Sequence, residues 1–164
     1  MRAAQGIRRA GGAAVLLTAL ACQHAGRSEL RAADSTAEIA RELDDFHDAA
    51  ARSDEERYFA HFAPGGVFVG TDATERWEVP AFRAYAHPHF ARGRAWSFRG
   101  LRRRIAMRGE VAWFEEDLET QNLGPARGSG VLALVGGRWR IEQYVLSLTI
   151  PNQKFAAVKE LLAR

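Results

Sequence analysis

The sequence predicts an α+β fold, a curved antiparallel sheet with helices packed on its concave side. Two short segments with helical spacing and Ser-x-x-Glu starts stand first. Four strand-like segments follow one another in the second half, joined by short Gly-bearing turns that imply a meander. The chain has 164 residues and 47% apolar content, enough for one domain with a real core and not comfortably for two.

The N-terminus reads as an export address. Arg2, Arg8 and Arg9 stand without an acid before the apolar run "GGAAVLLTALAC". A positive start, a short apolar run and small residues make a signal peptide over 1–21, too short to span a bilayer. "Ala19-Leu20-Ala21-Cys22" resembles the lipobox of bacterial lipoproteins, with Ala19 where leucine is usual. That resemblance implies lipidation of Cys22, the chain's single cysteine, and membrane contact through a lipid anchor only. The alternatives are a plain signal peptide and an incidental cysteine. Gln23 in place of Asp suggests the periplasmic side of an outer membrane. Residues 22–34 read as lipidated Cys and polar tether.

The formal charge of +3 includes three Arg before Cys22, so the remaining chain is about neutral (+3 − 3 = 0). The basic pI therefore gives no argument for nucleic-acid binding.

The domain covers 35–152. Ser35 and Glu38 form a capping box, and Ile39, Leu43, Phe46 and Ala50 share one helical face. Ser53 and Glu56 repeat the pattern and start a short helix ending near Phe62, broken by Pro64-Gly65-Gly66. "VFVG" reads as a strand. "VPAFRAYAHPHF" is a helix with Pro80 at its first position and Pro88 as its interruption or end. Strands are expected over about 96–107, 110–121, 127–135 and 138–150, with a weakly amphipathic helix or tail over 153–164.

Four pieces carry a family likeness: "VFVGTDATERW", "AHPHFARGRAW", "AWFEEDLET" and "RGSGVLALVGGRWRIEQYVLSLTIPN". With the order of elements, they resemble the SnoaL-like branch of the nuclear transport factor 2-like superfamily, whose fold is also called cystatin-like. The resemblance covers about 35–152 and implies an exported protein of uncharacterised function. Superfamily relatives include ketosteroid isomerases, polyketide cyclases and many non-catalytic binders, so the fold alone assigns no chemistry. Homodimers packed sheet to sheet are common among them.

A bent sheet closed by helices leaves a conical pocket, the default place for a small ligand. "GTDATERW" packs Asp72, Glu75 and Arg76 into one loop at its expected mouth. Either the loop is braced by its own side chains, Asp72 and Glu75 forming a D-x-x-E cap pattern, or some of those groups serve the pocket. Asp72, Glu75, Tyr85, His89 and Arg127 are expected on the polar side, and Trp77, Trp96 and Trp113 on the apolar side. Glu115 joins them through a possible cross-strand pair with Arg127. Gln143 joins them because Trp139, Ile141, Gln143, Val145 and Ser147 alternate onto one strand face, taken as the inner one. Tyr144, Leu146, Leu148 and Ile150 would then need cover, which a homodimer supplies. Trp96, Trp113 and Trp139 are read as strand residues.

His87 and His89 flank Pro88, but no cysteine or suitably spaced acid completes a metal site, and no metal or cofactor is expected. The Arg residues of "RGLRRRIAMR" split between strand faces and read as a charged edge strand. No phosphate loop or nucleophile elbow is present. The expected function is binding of a small apolar or amphipathic molecule. One alternative is an isomerase, cyclase or hydratase using Asp72, Glu75 or His89 as acid–base. The other is a structural envelope lipoprotein.

Overall fold

The computed structural model describes residues 33–163, and the fold belongs to the unit Thr36–Arg164. The expected signal peptide over 1–21, Cys22 and most of the expected tether over 22–34 lie outside the described residues.

Helix α1 runs over residues 33–51, so Ser35 does not open it and the last two tether positions are already helical. Helix α2 is Glu55–Ala60. Its cap is Asp54, which accepts the Arg57 N–H at 3.1 Å. Ser53 cannot take that role because it adopts φ 56°; its hydroxyl instead accepts the Ala95 N–H at 3.2 Å. Strand β1, Phe62–Val69, contains Pro64-Gly65-Gly66 rather than following it. Gly66 is required there, since a Cβ would sit 2.8 Å from the Ile141 carbonyl oxygen.

Strand β2 is Arg76–Glu78 and helix α3 is Val79–Ala91. Helix α3 passes through Pro88 and is not ended by it. The missing N–H falls in the last turn, where only the Ala84 carbonyl loses its partner. Four strands follow: β3 Phe98–Arg108, β4 Val111–Thr120, β5 Gly124–Val135 and β6 Arg138–Leu148. Gly136 and Gly137 both have positive φ, 58° and 79°, as a two-residue turn following the strand twist requires. A short 3-10 turn, Asn152–Lys154, leads into helix α4, Phe155–Leu162. Trp96 lies in the segment before β3 and not on a strand.

The six-stranded sheet has the order β2-β1-β6-β5-β4-β3. All its pairs are antiparallel except β1–β6, which is parallel. Helix α1 buries Ile39, Leu43 and Phe46 in the core, and α3 buries Phe82, Ala86 and Phe90. They join Phe114, Leu118, Leu132, Ile141 and Tyr144 in one cluster. Each large apolar side chain so buried contributes roughly 2 kcal/mol.

Two bulges decide which side chains face this core. Between Val131 and Leu132 the partner on β6 skips from Gln143 to Ile141, so one extra residue is accommodated there. Strand parity reverses across it. Trp139 and Ile141 point inward, then Tyr144 and Leu146 do. This corrects the alternation expected for β6, and Gln143 is exposed on the outer face. The second bulge lies between Gly100 and Arg102 and turns Arg103 inward.

Candidate functional site

A cavity of about 340 Å³ opens between five parts of this scaffold. The loop joining β1 to β2 supplies Gly70, Thr71 and Glu75, with Phe68 and Trp77 on its flanking strands. Helix α3 supplies Phe82 and Tyr85, and the segment into β3 supplies Trp96, Ser97 and Phe98. The β4–β5 turn adds Gln121, Asn122 and Leu123, and β6 adds Leu146.

Aromatic stacking fixes the walls. Phe68 and Phe82 stack at 4.1 Å with 12° between their planes, and Phe68 lies 5.8 Å from Tyr144. Trp77 stacks on Phe82 at 5.6 Å and on Tyr85 at 4.8 Å. Phe68 and Phe82 are buried, whereas Tyr85 is 49% exposed. The interior behind the first two rings is therefore packed, and the cavity is its mouth.

The loop from Gly70 to Glu75 is braced by its own groups. Gly70 N–H donates to the Glu75 carbonyl at 2.7 Å, and Glu75 N–H to the Asp72 carbonyl at 3.0 Å. Asp72 Oδ1 accepts from Thr74 N–H at 2.8 Å and Thr74 Oγ1–H at 2.5 Å. These bonds hold the Asp72 carboxyl below the usual carboxylate range. Asp72 N–H in turn donates to Glu75 Oε2 at 3.2 Å. Glu75 thus braces the turn and also lines the cavity.

A second polar group lies inside the fold. Glu116 is 1% exposed. Its Oε1 lies 2.6 Å from His47 Nε2 and accepts the Tyr144 hydroxyl at 3.1 Å. Its Oε2 accepts Arg103 Nε–H at 2.8 Å. The same guanidinium reaches the Ala40 carbonyl at 2.9 Å and Asp44 at 2.8 Å. Gly128 makes the room, since a Cβ there would stand 2.2 Å from the Tyr144 hydroxyl. Burial opposes the Glu116 charge, yet the bonds and charges of His47 and Arg103 hold its carboxyl below the ordinary range. Burial and the neighbouring Glu116 charge push the Tyr144 hydroxyl well up. An ionised Glu116 acts as acceptor, so His47 Nε2 carries the proton of the shared bond. His47 also borders a separate open groove with Phe98, Arg99 and Arg102.

Glu75, Trp77, Tyr85 and Trp96 come together in the cavity lining, and the other expected site residues do not. Asp72 is exposed in the loop beside the cavity, its carboxylate turned to Thr74. His89 is exposed on α3, 5.8 Å from the Tyr85 ring. Trp113, Glu115 and Arg127 occupy the outer face of the sheet, because the buried positions of β4 are Ala112, Phe114, Glu116 and Leu118. Glu115 is opposite Ser129 and pairs with Arg104 at 2.9 Å, while Arg127 is opposite Asp117, 3.9 Å away. His87 Nδ1 is engaged by Glu55 at 2.7 Å. Among the described residues no group of three His, Cys, Asp or Glu is placed to hold a metal.

The sequence reading missed His47, Arg103, Glu116 and Tyr144. Two of these were findable: Glu116 shares the strand face of Phe114 and Leu118, and His47 follows Leu43 by one helical turn. The lining residues of the β4–β5 turn carried no comparable signal.

Solved structures share this fold at low identity. A Mycobacterium tuberculosis protein of unknown function aligns with a TM-score of 0.64 and 20% identity, covering 79% of this chain and 87% of that one. A nuclear transport factor 2-like protein of unknown function from Pseudomonas putida gives 0.63 and 13%, covering 74% and 92%. A Nostoc punctiforme protein with a cystatin-like fold gives 0.59 and 17%, covering 70% and 90%. No curated protein matches the chain in sequence. The family model described as a SnoaL-like domain matches residues 39–151, from the first core residue of α1 to just past the end of the sheet at Leu148, and the chain belongs to that family.

Proposed function

We propose that the protein binds a small apolar or amphipathic molecule in the cavity between the β1–β2 loop, α3 and the β4–β5 turn. The carrying observation is the lining itself: six aromatic rings and two Leu side chains, rimmed by Thr71, Ser97, Gln121 and Asn122. A site of this volume, mostly apolar with a few placed polar groups, suits a compact ring-bearing ligand. Binding is favoured over isomerase, cyclase or hydratase chemistry because, among the described residues, one carboxylate and no imidazole line the cavity.

The neutral dye N-phenyl-1-naphthylamine tests this. Its fluorescence should rise saturably with the protein. Leu123→Asp, at an exposed turn position, should weaken binding by about tenfold, on the order of 1.4 kcal/mol. Equal binding by the variant would move the site elsewhere. Absence of saturable binding by the wild type would leave the envelope-component alternative.

The proposal includes export and anchoring through Cys22, supported by Arg2, Arg8, Arg9 and the apolar run before the cysteine. Cells fed radiolabelled palmitate should label the full chain and not Cys22→Ser. Unlabelled wild-type protein in the cytosol would sink this part.

A further inference from the structure

The charge of the lining leads one step further, on the basis of the binding reading above. Among the described residues lining the cavity, Glu75 is the only Asp, Glu, Lys, Arg or His. Its position is built into the loop. The carboxylate lies so close over the end of β1 that a Cβ on Gly70 would come 2.1 Å from Oε2. Asp72 N–H holds the same oxygen at 3.2 Å.

No cation balances Glu75 inside the cavity. Arg76, its neighbour in sequence, is exposed on β2 and outside the lining. Arg99, next to Phe98, is engaged by Glu119 through Nε at 2.8 Å. Asp72, exposed in the same loop, adds a second negative charge beside the entrance. An anionic ligand would meet repulsion without a counter-charge. A neutral ligand would gain the apolar walls alone. A ligand with a cationic head would gain the walls, the carboxylate and the electron-rich aromatic rings.

We propose that the cavity takes an amphipathic organic cation, a protonated amine on an apolar ring-sized body, with the ammonium group against Glu75. The ring system replaces water along Trp77, Tyr85 and Trp96. The ammonium group donates to the Glu75 carboxylate, whose Oε1 is not used by the loop.

Three probes sharing one ring separate the charge from the fit: 2-(1-naphthyl)ethylamine, 2-(1-naphthyl)ethanol and 1-naphthylacetate, titrated calorimetrically at neutral pH and low salt. The amine should bind about fivefold tighter than the alcohol, as expected for a partly solvated ion pair, and the carboxylate should bind weakest. Glu75→Gln should bring the amine to the alcohol's affinity and leave the alcohol within about twofold. In the wild type, salt should weaken the amine and not the alcohol, a readout that survives any folding defect of the variant. Alcohol binding without an amine preference, or an amine preference untouched by salt, overturns the inference and leaves the binding reading standing. If neither amine nor alcohol binds, the binding reading fails and the inference with it.

Discussion

Glu116 shows at the residue scale how one side chain can be central to a fold and still escape notice in the sequence. Its carboxylate is removed from water and kept charged by Arg103 and His47, with Tyr144 as a further donor. Breaking such a set leaves a buried charge without its partner, which costs about 3 kcal/mol. The pH dependence follows from the sign of the shift. In the unfolded chain the group returns to about 4.5, so the fold binds the deprotonated form more tightly. The stability it contributes is present above that value and is lost as pH falls through the lower folded value. Glu116→Gln should therefore be less stable than wild type at pH 7 by about 3 kcal/mol. The gap should close in acid, read by urea unfolding between roughly pH 3 and 7. A gap independent of pH would show that Glu116 is not ionised in the fold. The adjacent acids "Glu115-Glu116" made this legible only through strand parity, which separates an outer Glu115 from an inner Glu116. Arg103 was not legible that way, because the bulge before it changes its parity.

At the scale of elements, propensity and turn chemistry carried most of the architecture. The four-strand meander and the Gly136-Gly137 hairpin follow from period-2 segments and glycine turns. Departures arise where a tertiary contact overrides a local signal. Pro88 is tolerated because only one carbonyl is orphaned and the flanking Ala86 and Phe90 are buried. Gly65-Gly66 reads as a breaker, yet Gly66 lets β1 approach the Ile141 carbonyl. The β6 bulge has no residue signature in "RIEQYVLS", so alternation counted from Trp139 assigns the wrong face from Gln143 onward. In the candidate site that bulge displaces Gln143 alone, since β4 and β5 pair without a register shift. The site's loop and helix residues, Glu75, Trp77 and Tyr85, were placed from local pattern, whereas Trp113, Glu115, Arg127 and Gln143 depended on which sheet face looks inward.

At the scale of the whole molecule, the open question is what covers the outer sheet face. Tyr144 and Leu146, expected to need cover, are buried in the core. On the outer face the exposed large apolar groups are Val111, Trp113 and Val135, at 45%, 47% and 42% exposure, while Leu148, also expected to need cover, is 44% exposed at the end of β6. Val111 stands opposite Ala133, and Trp113 opposite Val131 on β5 and Ala106 on β3. These residues form a continuous apolar strip, flanked on the same sheet by the Arg104–Glu115 and Arg102–Asp117 pairs. Both signs of charge at the rim suit a two-fold contact, in which one copy's Arg side chains can meet the other's carboxylates. We expect a homodimer through this face, burying on the order of 1,000 Å² or more to be stable. The chain lacking residues 1–22 should run as a dimer in sedimentation at tens of micromolar, on the order such interfaces sustain. Trp113→Glu should shift it to monomer while its far-UV spectrum and dye binding stay unchanged, because Trp113 belongs neither to the core cluster nor to the cavity lining. A wild-type monomer, or a dimer indifferent to Trp113→Glu, would remove this face from the assembly. Loss of dye binding together with the dimer would mean that the outer face and the cavity are coupled through β4 and its turn at Gln121–Leu123.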